Sequence, residues 1–156
     1  MRTQLFFLLL LPTFCTAQSS TNDSVFIREI NTFVDAWHHA AAVADEDTFF
    51  GSMDADALYI GTDASERWLR DELKLWSKKY FDRESAWSFT PLKRHIYWSD
   101  DRQYVWFDET LATQMDVCRG SGVLQRHGAV WRFKQYVLSI AVPNEVVKDY
   151  LKLLKK

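Results

Sequence analysis

The chain has 156 residues and a formal net charge of −2, from 19 basic and 21 acidic side chains. This length suits one domain with a core of its own. The weak negative charge, without a dominant basic stripe, argues against nucleic acid as the main partner. Aromatic residues form 15% of the chain, enough for a core and for the walls of an apolar pocket.

The first residues have the pattern of an export signal. Arg2 precedes an unbroken apolar run from Leu5 to Leu11, and Cys15-Thr16-Ala17 places small residues where a signal peptidase cleaves. The run is too short to span a bilayer as a permanent helix. We therefore expect a signal peptide at 1–17, a flexible lead at 18–23 and a folded domain at 24–156. This predicts a periplasmic or secreted protein with no integral membrane segment after cleavage.

The two cysteines, Cys15 and Cys118, raise the questions of lipid anchoring, a disulfide and a reactive thiol. Lipid anchoring at Cys15 is less favoured than cleavage, because the bulky Phe14 precedes it where such sites take a small residue. Only Cys118 remains after cleavage, so no internal disulfide is expected. Cys118 could be a nucleophile or a sensor, but no motif places a histidine beside it. A small buried residue is the favoured interpretation.

The first half of the domain has mainly helical spacing. Apolar residues three and four apart predict a helix from Ser24 to Asp45, and a short helix and a strand follow. Asp63 and Glu66 have the spacing of a capping box, which predicts a turn leading into another helix. The short helix is expected at 45–53, the strand at 57–60, the turn at 61–66 and the last of these helices as far as Phe81–Asp82.

The second half changes to alternating polar and apolar residues, which is typical of strands. Ser99–Arg102 predicts a hairpin turn, and Gly120 and Gly122 predict a bulge or bend. A last helix is expected after Pro143, with Val147, Tyr150, Leu151 and Leu154 on its buried face. The predicted strands cover 87–98, 103–115, 117–126 and 129–141.

Helices followed by an antiparallel meander predict an α+β fold, in which one sheet curls over aromatic helix faces and leaves a cone-shaped interior. The order and spacing of six segments carry a family resemblance. They are Trp37-His38 with Ala40–Ala42, Tyr59–Ala64, Glu66–Trp68, Trp106–Glu109, Arg119–Leu124 and Trp131–Ser139. With these segments the chain resembles the SnoaL-like branch of the nuclear transport factor 2-like superfamily, from about Ser24 to Leu154.

This resemblance implies a cone-shaped fold, with N-terminal helices packed on a curved antiparallel sheet and a C-terminal helix. It also implies a cavity open at one end and, commonly, a homodimer. Relatives include ketosteroid isomerases, polyketide cyclases, dehydratases and pocket proteins with no known reaction, so the fold does not identify a function. The chain has no clear match to the Tyr/Asp oxyanion set and separate Asp base of ketosteroid isomerases.

His38 and Asp108 are the candidate catalytic residues. His38 lies on the first helix beside an aromatic residue, where it could transfer protons or could be a hydrogen-bonded core residue. Asp108 shares a strand face with Trp106, so we expect it to point into the interior as a proton-transfer group or in a buried ion pair with Arg119. Glu109 is expected on the opposite face, against solvent, a helix or a second subunit.

The candidate ligand-binding residues are mostly aromatic, and core packing explains the same positions equally well. Arg119 is added because a guanidinium can hold a carboxylate or phosphate. No histidine or cysteine spacing indicates a metal site, and no phosphate loop is present, so neither a metal nor a cofactor is expected. The ligand-binding set is Trp37, Tyr59, Trp68, Trp76, Trp106, Arg119 and Tyr136.

Three functions fit these observations. The favoured one is an exported domain that binds a small, largely apolar molecule in the cone. An alternative is a cofactor-independent lyase or isomerase using His38 and Asp108. The third is a homodimeric interaction module, in which the exposed sheet face is apolar and the cone is closed.

Overall fold

The computed structural model describes the backbone of residues 17–155 and the side chains of residues 22–155. The predicted signal peptide lies, apart from Ala17, outside the described residues, and so does the alternative anchor Cys15. Among the described helices, none is both long enough and apolar enough to cross a membrane.

Four helices occupy the positions that the periodicity predicts, with shifted ends. Helix α1 covers Ala17–Ala42, α2 covers Glu46–Gly51, α3 covers Arg70–Phe81 and α4 covers Val147–Leu153. The predicted flexible lead at 18–23 is therefore helical and forms the first turns of α1. The helix stops before Ala44, whose φ of 54° lies in the left-handed region.

Six strands form one sheet. They are β1 (Met53–Ile60), β2 (Arg67–Leu69), β3 (Thr90–Trp98), β4 (Tyr104–Thr113), β5 (Asp116–His127) and β6 (Val130–Ile140), in the spatial order β2-β1-β6-β5-β4-β3. Only the β1–β6 pair is parallel, and the other neighbours are antiparallel. This arrangement confirms the predicted α+β class and the long meander of β3 to β6.

The apolar stripe of α1 packs on the inner face of this sheet. Trp37 is its centre: the indole stacks on Phe49 of α2 at 4.6 Å between ring centroids and contacts Phe133 of β6 at 4.2 Å. Its Nε1–H donates to the carbonyl of Phe49 at 3.1 Å. The indole is fully enclosed, so its one polar atom needs this partner.

The predicted capping box does not start a helix. Asp63 and Glu66 instead close a turn, because the Glu66 backbone N–H donates to the Asp63 carbonyl at 2.9 Å. The short strand β2 follows this turn, and α3 begins only at Arg70. The carboxylate that caps α3 is Glu72, which accepts the backbone N–H of Leu69 at 2.9 Å.

The two faces of β4 are the reverse of the sequence prediction. Phe107 and Glu109 point into the core, whereas Trp106 and Asp108 lie on the outer face of the sheet. The prediction that Asp108 points into the interior is wrong. Both faces of this strand carry an aromatic residue and an acid, but Val105 and Leu111 share the face of Phe107 and Glu109, and this more apolar face is the buried one.

The predicted bulge at Gly120 and Gly122 is also wrong, since both glycines lie in regular register with β4 and the irregularity falls between Val123 and Leu124. They make space for side chains of the neighbouring strands. A Cβ at Gly120 would lie 2.3 Å from the Tyr136 hydroxyl, and one at Gly122 would lie 2.6 Å from the Phe107 ring.

Helix α4 lacks the predicted buried face. None of its residues is buried, and Tyr150 and Leu154 are 42% and 63% exposed. Its apolar spacing predicts an amphipathic helix but cannot predict what covers the apolar side.

Candidate functional site

A cavity of about 170 Å³ lies between the β1–β2 pair, α3 and the segment that leads into β3. Thr62 and Gln114 on its rim are exposed, so the cavity reaches the surface. Five aromatic side chains dominate the lining. They are Tyr59, Trp68, Trp76, Trp87 and Phe89, joined by Gly61, Thr62, Glu66, Leu73, Gln114, Met115 and Leu138.

Strand pairing and helix packing bring these rings together. Tyr59 and Trp68 are direct cross-strand partners in the β1–β2 pair, with ring centroids 6.5 Å apart. Helix α3 places Trp76 4.6 Å from Trp68. Three chain segments therefore build one aromatic wall.

Glu66 is the only acidic residue in the lining, and no basic residue lies there. Its Oε2 accepts the backbone N–H of Asp63 at 3.3 Å, which holds the carboxylate over Gly61. Gly61 makes this position accessible, because a Cβ there would lie 2.2 Å from Oε2. Within residues 22–155, no lysine, arginine or histidine forms an ion pair with Glu66.

Tyr59 contributes a phenol to the same cavity. Burial raises the pKa of this hydroxyl far above its ordinary value of 10, and the Glu66 charge raises it further. Tyr59 is therefore a neutral hydrogen-bond donor at physiological pH. In the described part of the chain its hydroxyl has no hydrogen-bond partner, so it remains available to a bound molecule.

A second polar group lies behind the cavity and is centred on Glu109, which is fully buried. Its Oε1 accepts hydrogen bonds from His38 Nε2 at 2.7 Å and from the Tyr136 hydroxyl at 3.0 Å. Its Oε2 accepts Arg94 Nε at 2.9 Å, with Arg94 Nη2 at 2.7 Å. We call these four residues the Glu109 cluster.

Arg94 connects the Glu109 cluster to the surface of α1. Its Nη1 lies 2.9 Å from the side-chain oxygen of Asn31 and 2.9 Å from a carboxylate oxygen of Asp35. The guanidinium is 4% exposed, whereas Asp35 is 56% exposed. One arginine thus joins a buried carboxylate to a solvated one across the α1–β3 contact.

The protonation states follow from this geometry. Burial alone would raise the pKa of Glu109, but the hydrogen bonds and charges of His38 and Arg94 outweigh it and hold that pKa below its ordinary value. An ionised carboxylate only accepts, so His38 Nε2 carries a hydrogen. Burial and the Glu109 charge raise the pKa of Tyr136 well above 10, so it remains a donor.

Side chains of the cavity wall separate the Glu109 cluster from the cavity. No member of the cluster lines the cavity. Phe89 does line it and packs edge-on against His38, with 5.7 Å between ring centroids. Tyr59 also lines it and contacts Tyr136, with 5.7 Å between ring centroids. The buried Glu109 and His38 are therefore hydrogen-bonded to each other and are not presented to a ligand in the cavity.

The structure divides the residues proposed from sequence into three places. Tyr59, Trp68 and Trp76 line the cavity. Trp37, His38 and Tyr136 lie in the core, so the expectation that Trp37 and Tyr136 are wall residues is wrong. The remaining three, Trp106, Asp108 and Arg119, are on the outer sheet face.

The outer-face position changes what Asp108 can do. It is 40% exposed and lies 3.8 Å from Arg119 and 3.4 Å from His95. The predicted pair with Arg119 is present, but it is solvated rather than buried, and exposed pairs contribute little to stability. Asp108 is not brought together with His38, whose carboxylate partner is Glu109.

Five further residues occupy places that the sequence patterns do not indicate: Glu66, Trp87, Phe89 and Gln114 line the cavity, and the Arg94 side chain is buried. The alternating pattern predicts a strand that includes Trp87 and Phe89, but both residues precede β3 and approach the cavity from a loop. The burial of the Arg94 side chain could not be predicted from the sequence, because its strand β3 is largely exposed and gives no apolar pattern around it.

Cys118 is buried, as favoured from sequence, with its Sγ 3.5 Å from Thr113 Oγ1. Among residues 22–155, no group of three or more His, Cys, Asp or Glu side chains is placed to hold a metal ion.

A family model described as SnoaL-like domain matches residues 30–143. An NTF2-like protein of unknown function from Pseudomonas putida is similar in structure, with a TM-score of 0.65 and 10% identity over 79% of this chain and 92% of that one. An NTF2-like protein from Cytophaga hutchinsonii is also similar in structure, with a TM-score of 0.61 and 12% identity over 73% of this chain and 97% of that one. None of the curated protein sequences matches the chain.

The Glu109 cluster predicts a large stability effect. Glu109→Gln keeps the shape but leaves the buried Arg94 with only the solvated Asp35 as a counter-charge. We expect the free energy of unfolding at pH 7 to fall by about 3–5 kcal/mol. Chemical denaturation measures this change, and the exposed Glu145→Gln is the matched control, for which the value should stay within about 0.5 kcal/mol.

Glu109→Gln and Glu145→Gln also test the lowered pKa of Glu109. The pKa of Glu109 in the folded protein lies below its ordinary value of 4.5. The ionised carboxylate therefore makes its full contribution to the free energy of unfolding above pH 4.5, and this contribution is lost as the pH falls through the folded pKa. Wild type and Glu145→Gln should therefore lose stability more steeply below about pH 4.5 than Glu109→Gln. Equal slopes for all three proteins would contradict the assignment.

Proposed function

The chain belongs to the SnoaL-like domain family, and on that premise we propose that it is an exported pocket protein that binds a small, largely apolar molecule. The proposed site is the cavity lined by Tyr59, Trp68, Trp76, Trp87 and Phe89. One observation carries the proposal: aromatic side chains form the walls of the cavity, and they separate it from the buried Glu109 and His38.

The volume limits the ligand. A cavity of about 170 Å³ is close to the size that holds one benzene ring, about 150 Å³. A ligand of one ring, or one such group of a larger molecule, fits this space. The Tyr59 hydroxyl offers it a hydrogen bond, and few polar groups in an apolar wall are typical of binding sites.

Acid–base catalysis has less support. A lyase or isomerase needs its acid and base within hydrogen-bond reach of the substrate. Asp108 lies on the outer sheet face, and His38 is bonded to Glu109 behind Phe89. A reaction that uses His38 would first require Phe89 to move.

Binding is tested with benzyl alcohol as a one-ring probe. Trp68→Ala removes one wall and should weaken binding at least about tenfold, which corresponds to about 1.4 kcal/mol. Changes in the indole N–H signals of ¹⁵N-labelled protein report the titration.

Trp106→Ala is the matched control, because it removes the same side chain from the outer sheet face and should leave the affinity unchanged. A thermal melt of each variant confirms folding. If benzyl alcohol fails to shift any cavity indole, or if both variants bind equally, the cavity is not the site.

We further propose that the outer sheet face forms a homodimer. Tyr97 and Trp106 stack there with ring centroids 6.3 Å apart, and they are 49% and 47% exposed. Aromatic residues are enriched at protein interfaces relative to the rest of the surface. The neighbouring Asp108 and Arg119 make the rest of the face polar, which suits a rim.

The dimer proposal predicts the effect of a charge at its centre. Trp106→Glu should convert a dimer to a monomer in sedimentation equilibrium, because it places two like charges against each other at a two-fold contact. Leu75→Glu, on the exposed side of α3, is the control and should leave the mass unchanged. A monomeric wild-type protein would contradict the proposal directly.

Export is proposed from the N-terminal pattern. Within the described residues α1 covers Ala17–Ala42, and cleavage after Ala17 would leave this part of the helix intact apart from its first residue. Expression of the full chain in a Gram-negative host, followed by N-terminal sequencing of the periplasmic fraction, should give a mature protein beginning with Gln18. Retention of Met1, or a lipid-modified Cys15, would contradict the proposed processing.

A further inference from the structure

We propose that the cavity selects a small organic cation of the alkylammonium class, with Glu66 as its counter-ion. This inference rests on the proposed binding function and specifies the chemistry of its ligand. The apolar part of the ligand would contact the aromatic walls, and its positive charge would lie between those rings and the Glu66 carboxylate.

The aromatic walls supply the first reason. The face of an indole or phenol ring carries negative potential and attracts a cation within about 6 Å of its centroid. One ring of this wall already has a cation beside it: Lys79 Nζ lies 5.6 Å from the centroid of Trp76. Tyr59, Trp68 and Trp87 provide further rings at the cavity itself.

The charge of the lining supplies the second reason. Glu66 is the single ionisable acid there, it is half-buried, and no basic residue shares the lining. The turn at 61–66 holds the carboxylate through the Asp63 N–H, and a Cβ at position 61 would displace it from this place. A bound cation would supply the positive partner that residues 22–155 do not provide.

The same arrangement disfavours other ligand classes. An anion would meet the Glu66 charge with no arginine, lysine or histidine in the lining to offset it. A neutral ligand would bury the aromatic surface equally well but would gain nothing from Glu66. The difference between a cation and a neutral molecule of the same shape therefore isolates the proposal.

The experiment compares choline with 3,3-dimethylbutan-1-ol, its neutral isostere. Indole N–H shifts of the ¹⁵N-labelled protein at pH 7 and low salt give both affinities. We expect choline to bind at least about tenfold more tightly than the alcohol. The choline affinity should also fall with added salt, while the alcohol affinity should not.

Glu66→Gln tests the counter-ion, because the amide oxygen can still accept the Asp63 N–H. Choline binding should weaken about tenfold in this variant, with the alcohol unchanged, and Glu145→Gln should change neither. The salt comparison needs no variant, so it decides the question even if Glu66→Gln does not fold.

The outcomes separate the two proposals. If the alcohol binds as tightly as choline in the wild type, the cation preference is overturned while the binding function stands. If neither molecule binds and no cavity indole shifts with benzyl alcohol, the binding function itself fails, and the cation preference fails with it.

Discussion

The structure depends on one buried carboxylate. The side chain of Glu109 points from β4 into the core with no solvent contact, where an uncompensated charge would cost several kcal/mol. His38 from α1, Arg94 from β3 and Tyr136 from β6 supply its hydrogen bonds. These hydrogen bonds hold α1, β3 and β6 in fixed positions around Glu109, and they therefore determine where α1 crosses the sheet. Gly120 completes the arrangement by leaving room for the Tyr136 hydroxyl.

The Glu109 cluster also determines which groups the cavity can present to a ligand. Since the buried acid and base are paired with each other, the cavity is left with aromatic surface, the Tyr59 phenol and the Glu66 carboxylate. Phe89 and Tyr59 serve both regions, with one side on the cavity and the other on His38 or Tyr136. The same two side chains therefore shape the pocket and exclude water from the Glu109 cluster, which favours binding over proton transfer.

The sequence was informative where one periodicity dominated. The stripe of α1 and the β3–β6 meander could be predicted because packing demands those spacings. In β4, Val105 and Leu111 mark the inner face, but the burial of Glu109 there depends on partners from other elements, which the spacing of one strand does not show. Glu66 fits a helix cap and a turn equally well by spacing, and the difference depends on β2, which is only three residues long. Tyr59, Trp68 and Trp76 were found as wall residues, whereas Trp87 and Phe89 belong to a loop whose path no local pattern encodes.

The most direct test of this account is a high-resolution crystal structure of the protein soaked with choline, with attention to Phe89. We predict ligand density among Trp68, Trp87 and Glu66, with Phe89 in place and His38 still 2.7 Å from Glu109. Density that displaces Phe89 and contacts His38 or Glu109 would contradict the account, because the sealed cluster would then be part of an open active site.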